Sequence, residues 1–133
     1  MPLLPITALY GALLGFLLLH LAYLVVMTRQ KYKSALGHKN DDILIAARNH
    51  ANAAEYIPIM LILLALAELN GAANGILHII GALFVAARYI YAWGFRASEE
   101  KTHPGRYWGI VITFFCIATL GLLNLYLCWP YLL

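Results

Sequence analysis

Four apolar runs dominate this chain: residues 3–28, 43–69, 74–97 and 106–131 are nearly free of charge, and polar strings separate them. Each exceeds the roughly 20 residues that a helix needs to cross the hydrocarbon core of a bilayer. Inside lipid a backbone must satisfy its own hydrogen bonds, so such a run folds as a helix or as one strand of a closed barrel. A barrel strand alternates lipid-facing and lumen-facing residues, and none of these runs alternates. Composition agrees: 63% of the 133 residues are hydrophobic and 11% are charged, where a soluble domain carries about 25% charge. The sequence therefore predicts an all-α membrane protein, a four-transmembrane-helix bundle that occupies residues 1–133 as a single domain. So small a bundle buries little core of its own, which predicts a homo-oligomer with shared interfaces.

The loops set the expected orientation. A formal charge of +3 would suggest nucleic acid in a soluble protein. Here the basic side chains sit where they orient a membrane protein instead, and no nucleic-acid partner is expected. Arg29, Lys31, Lys33 and Lys39 fall in the first loop, and Lys101 falls in the third between Arg96 and Arg106. Positive-inside logic makes that side cytoplasmic and turns both termini outward. The second loop, Gly71-Ala72-Ala73-Asn74-Gly75, is a tight hairpin that forces its helices to be antiparallel neighbours. Met1 to Thr28 lacks a basic leading segment and is too long and uniformly apolar for a signal peptide, so it is read as a retained first helix. Tyr107 and Trp108 at one end of the fourth run, and Trp129 and Tyr131 at the other, fit interfacial belts. Cys116 and Cys128 lie about 18 Å apart along one helix, beyond disulfide reach, and are read as packing residues.

Two basic residues break the pattern. Arg48 and Arg88 lie inside apolar runs, where a charge costs several kcal/mol and faces a protein interior or an aqueous cavity. At about 100° per residue, Asn52 falls ~40° from Arg48 around the second helix and Glu55 ~20° from it, so all three share a stripe. Arg88, Tyr91 and Phe95 share a face of the third helix. Measured from the same helix ends, Arg88 sits about 13 Å deep and the Arg48–Glu55 stripe spans about 9 to 20 Å, so the two can meet. One reading is a buried ion-pair network that fixes helix register, for instance Arg88 with Glu55. That leaves a positive surplus, which opens toward Arg29, Lys31, Lys33, Arg96 and Arg106. A pocket of this charge suits an anionic, water-soluble ligand with carboxylates, with Glu55 to accept the ligand's ammonium group. The adjacent lipid can deliver an apolar co-substrate.

The remaining polar residues read as structural. His20 is expected to be packed or hydrogen-bonded within the first helix, and Glu68 to lie at the outer interface. His50 points roughly 160° away from the Arg48 stripe. His38, His78 and His103 show no mutual ligand spacing, and no metal site is expected. Gly11 and Gly15 form a small-xxx-small pair that could let the first helix pack closely. Pro58 interrupts the hydrogen bonding of the second helix near Glu55.

The pattern Arg48-x-x-x-Asn52-x-x-Glu55-x-x-Pro58, followed by Ala87-Arg88 and Tyr91, resembles that of the MAPEG family, the membrane-associated proteins of eicosanoid and glutathione metabolism. The four spans, the basic first loop and the chain length agree, so the resemblance covers essentially the whole chain. It implies a left-handed four-helix bundle assembled as a homotrimer, with glutathione bound between neighbouring subunits. It further implies glutathione contacts from Arg48, Asn52, Glu55, Arg88, Tyr91 and Arg29, and places Arg106 beside the thiol sulfur. A nearby cation lowers a thiol's pKa and raises the reactive thiolate fraction. The implied activity is that of a membrane glutathione S-transferase, with a glutathione peroxidase side activity left open: thiolate attack on a lipophilic electrophile or a lipid hydroperoxide. Glutathione is then a co-substrate, and membrane lipids and the electrophile are the other partners. Where eukaryotic family members often carry a tyrosine seven residues after Arg88, this chain has Phe95, which cannot donate a hydrogen bond, so that contact is missing or supplied by Tyr91. The minimal chain favours a general detoxifying enzyme over a maker of one eicosanoid.

Two other readings compete. A non-catalytic lipid-binding scaffold of the same fold would have no need for a multi-point anion pocket. A small proton-coupled exporter tends to place its acidic residue in the first helix, which here has none.

Overall fold

Capping residues, more than the rise of hydropathy, decide where the helices of this chain begin and end. The structure is a computed structural model that describes residues 3–38, 40–98 and 102–132; Lys39 and Lys101, counted above with the loop charges, lie outside the described residues. Helix α1 spans Pro5–Lys31, α2 Asp41–Leu69, α3 Asn74–Ala97 and α4 Pro104–Cys128, and a 3-10 turn at Trp129–Tyr131 follows α4. All four helices are long and apolar enough to cross a membrane.

Helices α1, α2 and α4 differ from the apolar runs at one or both ends, and local chemistry accounts for both ends of α1 and for the starts of α2 and α4. Pro5 opens α1 in the first turn, where its missing N–H costs nothing. The helix continues past Thr28 because Arg29 and Lys31 in its last turn interact favourably with the helix dipole. Helix α2 starts two residues before Ile43: Asn40 is its N-cap, its Oδ1 accepting the Ile43 N–H at 3.1 Å. Asp41 and Asp42 follow in the first turn, the favourable end for negative charge. Helix α4 starts at Pro104, with the Nδ1 of His103 accepting the Gly105 N–H at 3.1 Å.

The hairpin between α2 and α3 closes by a Schellman arrangement. Gly71 takes φ +79°, its N–H donates to the Glu68 carbonyl, and the Ala72 N–H donates to the Ala67 carbonyl. A left-handed residue at this position satisfies the last helical carbonyls, and glycine adopts it without a Cβ penalty.

Helices α2 and α3 form the centre. Among the described residues α1 packs on α2 and α3, α4 packs on α3 and α2, and α1 and α4 do not meet. The core joins Leu14, Leu17 and Leu21 of α1 to Ile57, Met60 and Leu64 of α2, with Leu77 and Phe84 of α3 and Leu120 of α4. Around it lies a girdle of exposed apolar side chains, including Phe16, Leu19, Phe115, Leu122 and Leu125. So large an exposed apolar surface belongs against lipid or another subunit.

Helices α3 and α4 approach so closely that two glycines on their seam have no room for a side chain. A Cβ at Gly94 would lie 2.6 Å from the Arg106 nitrogen, and one at Gly109 2.6 Å from the Tyr91 Cβ. Backbone therefore sits against backbone along this seam. The Gly11 and Gly15 pair is not used this way within the chain: a Cβ at Gly11 would make ordinary contact with Leu61, and one at Gly15 would meet open space.

Two expectations about single residues change. His20 is exposed on α1 rather than packed. Glu68 is not merely interfacial; it caps α1. Its carboxylate accepts the Ile6 N–H at 2.9 Å, the Thr7 N–H at 2.8 Å and the Thr7 hydroxyl at 2.7 Å. The residue at the N-cap position of α1, Leu4, has no capping side chain, so donors that a helix start leaves unpaired are satisfied from α2.

Candidate functional site between helices two, three and four

Arg88 is the largest fully buried side chain of the molecule, with a relative exposure of 0%. Among the described residues it has no carboxylate partner. Its Nη2 donates to the Oδ1 of Asn52 at 2.6 Å, and its Nη1 reaches the Thr113 hydroxyl at 3.4 Å. Thr113 in turn donates to the Gly109 carbonyl at 2.8 Å. Ring faces supply the rest of the setting: the guanidinium carbon lies 4.6 Å from the Tyr91 centroid and 5.7 Å from that of Tyr56. Such cation–π contacts gain strength when water is excluded. The Nε of Arg88 has no partner.

The pairing of Arg88 with Glu55, which the ion-pair reading offered as its example, is not formed. Glu55 is exposed, one turn beyond Asn52 along α2, or about 4.5 Å of rise. Asn52 stands at the level of Arg88 and takes the bond instead. Among the described residues the one salt bridge joins Lys31 to Asp42 at 4.0 Å, at the surface.

In front of this buried arginine lie two hollows. The first, of about 460 Å³, is lined by Asp41, Arg48, Asn52, Tyr91, Phe95 and Arg106, with Leu44, Ile45 and Ser98 beside them. The second, of about 400 Å³, is lined by Asn52, Tyr56, Tyr91, His103, Arg106 and Tyr107, with Thr102 and Ile110. They share Asn52, Tyr91 and Arg106. One hollow therefore carries two guanidiniums, an amide and the Asp41 carboxylate, the other is mostly aromatic, and Arg106 stands where they meet. Arg88 bonds the Asn52 carbonyl oxygen, and the amide N–H group of Asn52, which has no partner among the described residues, is what it presents most freely to a ligand.

The elements explain the convergence. Arg48 and Asn52 are one turn apart on α2, and Tyr91 and Phe95 are one turn apart on α3. Arg106 is the third residue of α4, brought against α3 by Gly94. Its guanidinium carbon lies 4.5 Å from the Phe95 ring centroid.

Of the residues singled out from the sequence, the structure brings Arg48, Asn52, Tyr91 and Arg106 to the walls of these hollows. Arg88 is shut behind the wall and touches the site through Asn52 and the rings of Tyr91 and Tyr56. Glu55 and Arg29 do not line either hollow. Arg29 instead ties the first loop, its Nη1 donating to the Gly37 carbonyl at 3.1 Å and reaching the Ala35 carbonyl at 3.4 Å.

Sequence reasoning missed Thr113 and Asn49. Thr113 sits in an apolar run where one hydroxyl passes for packing. Asn49, 3% exposed, donates from Nδ2 to the Ala92 carbonyl at 2.9 Å and so pins α2 to α3 directly behind Arg48. Its position next to Arg48 but off the stripe was the available signal.

Comparison with known proteins agrees with this architecture. The family model of the MAPEG family matches residues 7–126. The chain is 33% identical over 126 residues to "Inner membrane protein YecN" of Escherichia coli strain K12, covering 93% of this chain and 94% of that protein. The same figures hold for the protein of that name from Escherichia coli O6:H1. Four apolar helices, the α2–α3 polar centre and a match over nearly the whole length lead to one assignment: the chain is a multi-pass integral membrane protein and belongs to the MAPEG family.

Proposed function

We propose that this protein is a glutathione-dependent membrane transferase with peroxidase capacity. The observation that carries the reading is the junction of the two hollows at Arg106. A charged tripeptide in the first hollow and an apolar partner in the second would both reach that guanidinium. Arg48 takes a glutathione carboxylate, and the amide N–H of Asn52 donates to the peptide. Tyr91 supplies the hydroxyl that Phe95 lacks. Arg106, as the catalytic cation, stabilises the thiolate at the mouth of the aromatic hollow.

In conjugation the thiolate sulfur bonds the electrophilic carbon while a halide or similar leaving group departs with the bonding pair. With a hydroperoxide, the thiolate attacks the terminal oxygen and releases an alkoxide, which is protonated to the alcohol. A second glutathione then converts the sulfenic acid to the disulfide and water.

Glu55 and Arg29 belong to the same proposal through assembly. In a homotrimer with the site between subunits, a neighbour covers the exposed faces on which they lie, and both can complete its ligand shell. Positive-inside logic places the opening at the cytoplasmic side and the termini outside.

The test uses purified protein in detergent with glutathione and an aryl halide, following thiolate by ultraviolet absorbance and product by turnover. Thiolate formation and conjugation are expected, with Arg106→Ala retaining glutathione binding and losing thiolate. A wild-type protein that forms no thiolate and shows the same melting temperature with and without glutathione would overturn the reading and leave the lipid-binding scaffold in its place.

A further inference from the structure

Phe95 stands in a row of four side chains. The Arg88 guanidinium lies 4.6 Å from the Tyr91 ring, the Tyr91 ring 5.7 Å from that of Phe95, and the Phe95 ring 4.5 Å from the Arg106 guanidinium. The first three members share one face of α3, at spacings of three and four residues. The fourth arrives from α4, whose first turn can approach only because residue 94 is glycine.

Phenylalanine has no hydroxyl to offer a ligand or an arginine. What it presents to a guanidinium is the electron-rich face of its ring. Among the described residues Arg106 has no carboxylate within 4.0 Å and no side-chain hydrogen bond, and the Phe95 ring is the aromatic face within reach. An unheld arginine would sample many rotamers over an opening of this size.

We propose that Phe95 is a positioning residue, its ring face holding the Arg106 guanidinium at the junction of the two hollows. The chemical consequence rests on the glutathione reading. Loss of the ring leaves the carboxylate and amide contacts of the first hollow in place but releases the cation from the sulfur. Turnover therefore falls while the KM for glutathione holds.

The experiment replaces residue 95 in the full-length protein with leucine, tyrosine and ring-fluorinated phenylalanines. Fluorine withdraws charge from the ring face with little change of shape. Two readouts are taken: the Arg106 Nε–H signal in arginine-labelled protein, assigned with Arg106→Lys, and kcat and KM for conjugation. Wild type and Phe95→Tyr should share a ring-shifted Arg106 signal, and Phe95→Leu should lose it. The value of kcat should fall stepwise with fluorination, and roughly two- to thirtyfold in Phe95→Leu, with Phe95→Tyr restored.

An Arg106 signal unmoved in Phe95→Leu would overturn the contact. A trifluorinated ring that turns over like wild type while leucine does not would make Phe95 a space filler and overturn the positioning role. If wild type forms no thiolate at all, the glutathione reading falls by itself, and the Arg106 signal still decides whether the ring holds the arginine.

Discussion

Arg88 and Asn52 are joined across the α2–α3 boundary by a 2.6 Å hydrogen bond in which no carboxylate takes part. Among the described residues a buried guanidinium is held by an amide, a hydroxyl and two ring faces, so loss of one partner leaves it with little to replace that contact. Removing Asn52 alone should therefore be worse than removing both partners. Asn52→Leu is expected to lower stability by about 1.5–3 kcal/mol. Combining it with Arg88→Met should recover part of that loss. Unfolding of the two single variants and the double variant in detergent checks the cycle; strictly additive losses would show that the bond carries no coupling.

Asn49 offers a contrasting case. Its Nδ2 is bonded to the Ala92 carbonyl, while its buried Oδ1 has no partner. Asn49→Leu removes a bond but also an unsatisfied acceptor, so the stability change should stay within about 1 kcal/mol. Asn49→Ala, which leaves a void, should cost more. The same unfolding measurement distinguishes them, and a leucine variant as damaged as the alanine one would contradict this balance.

Gly94 admits no side chain. Its added Cβ would meet the Arg106 nitrogen at 2.6 Å and the Gly105 carbonyl carbon at 2.8 Å, backbone atoms that cannot swing aside. Gly94→Ala should destabilise by about 1–3 kcal/mol and reduce turnover by displacing the first turn of α4. Full activity in this variant would mean that α4 shifts freely against α3.

Arg48 lines the charged hollow from the exposed side of α2. Arg48→Ala should raise the glutathione dissociation constant by tenfold or so, as loss of one charged hydrogen bond implies, with little effect on folding. Titration with calorimetric readout checks it; an unchanged constant would move the tripeptide out of this hollow.

Much of the fold could be read from the sequence because lipid imposes a crude rule, about 20 apolar residues per span, and this chain obeys it four times. The errors at helix ends came from residues that hydropathy treats as loop: Asn40 and Asp41 at the start of α2, Pro104 at the start of α4, Arg29 and Lys31 within the last turn of α1. Their chemistry is that of caps and dipoles, not of solvent. The meeting of Arg88 with the α2 stripe followed from helical rise and angle alone. Which member of the stripe it meets did not, because Asn52 and Glu55 differ by one turn and only packed coordinates fix the level. Contacts between side chains and distant backbone were the least legible. Nothing near Asn49 in the sequence points to the Ala92 carbonyl. The Phe95 ring reads from the sequence as a missing hydroxyl, whereas in three dimensions it is a surface on which Arg106 rests.

The attachment of Glu68 to the first turn of α1 has a consequence for how damage would spread. Helix α1 has no contact with α4 among the described residues, and this carboxylate fastens it at the membrane face opposite Arg106. Glu68→Ala is expected to cost about 1 kcal/mol and to speed amide exchange at Ile6 and Thr7, with Glu68→Gln milder; protection unchanged at both amides would deny the cap. Loosening of this kind frees one outer helix at its far end while the three helices around the hollows stay gathered. The fastening of α1 and the candidate site thus lie toward opposite ends of the helices, and a lesion in one need not be felt by the other.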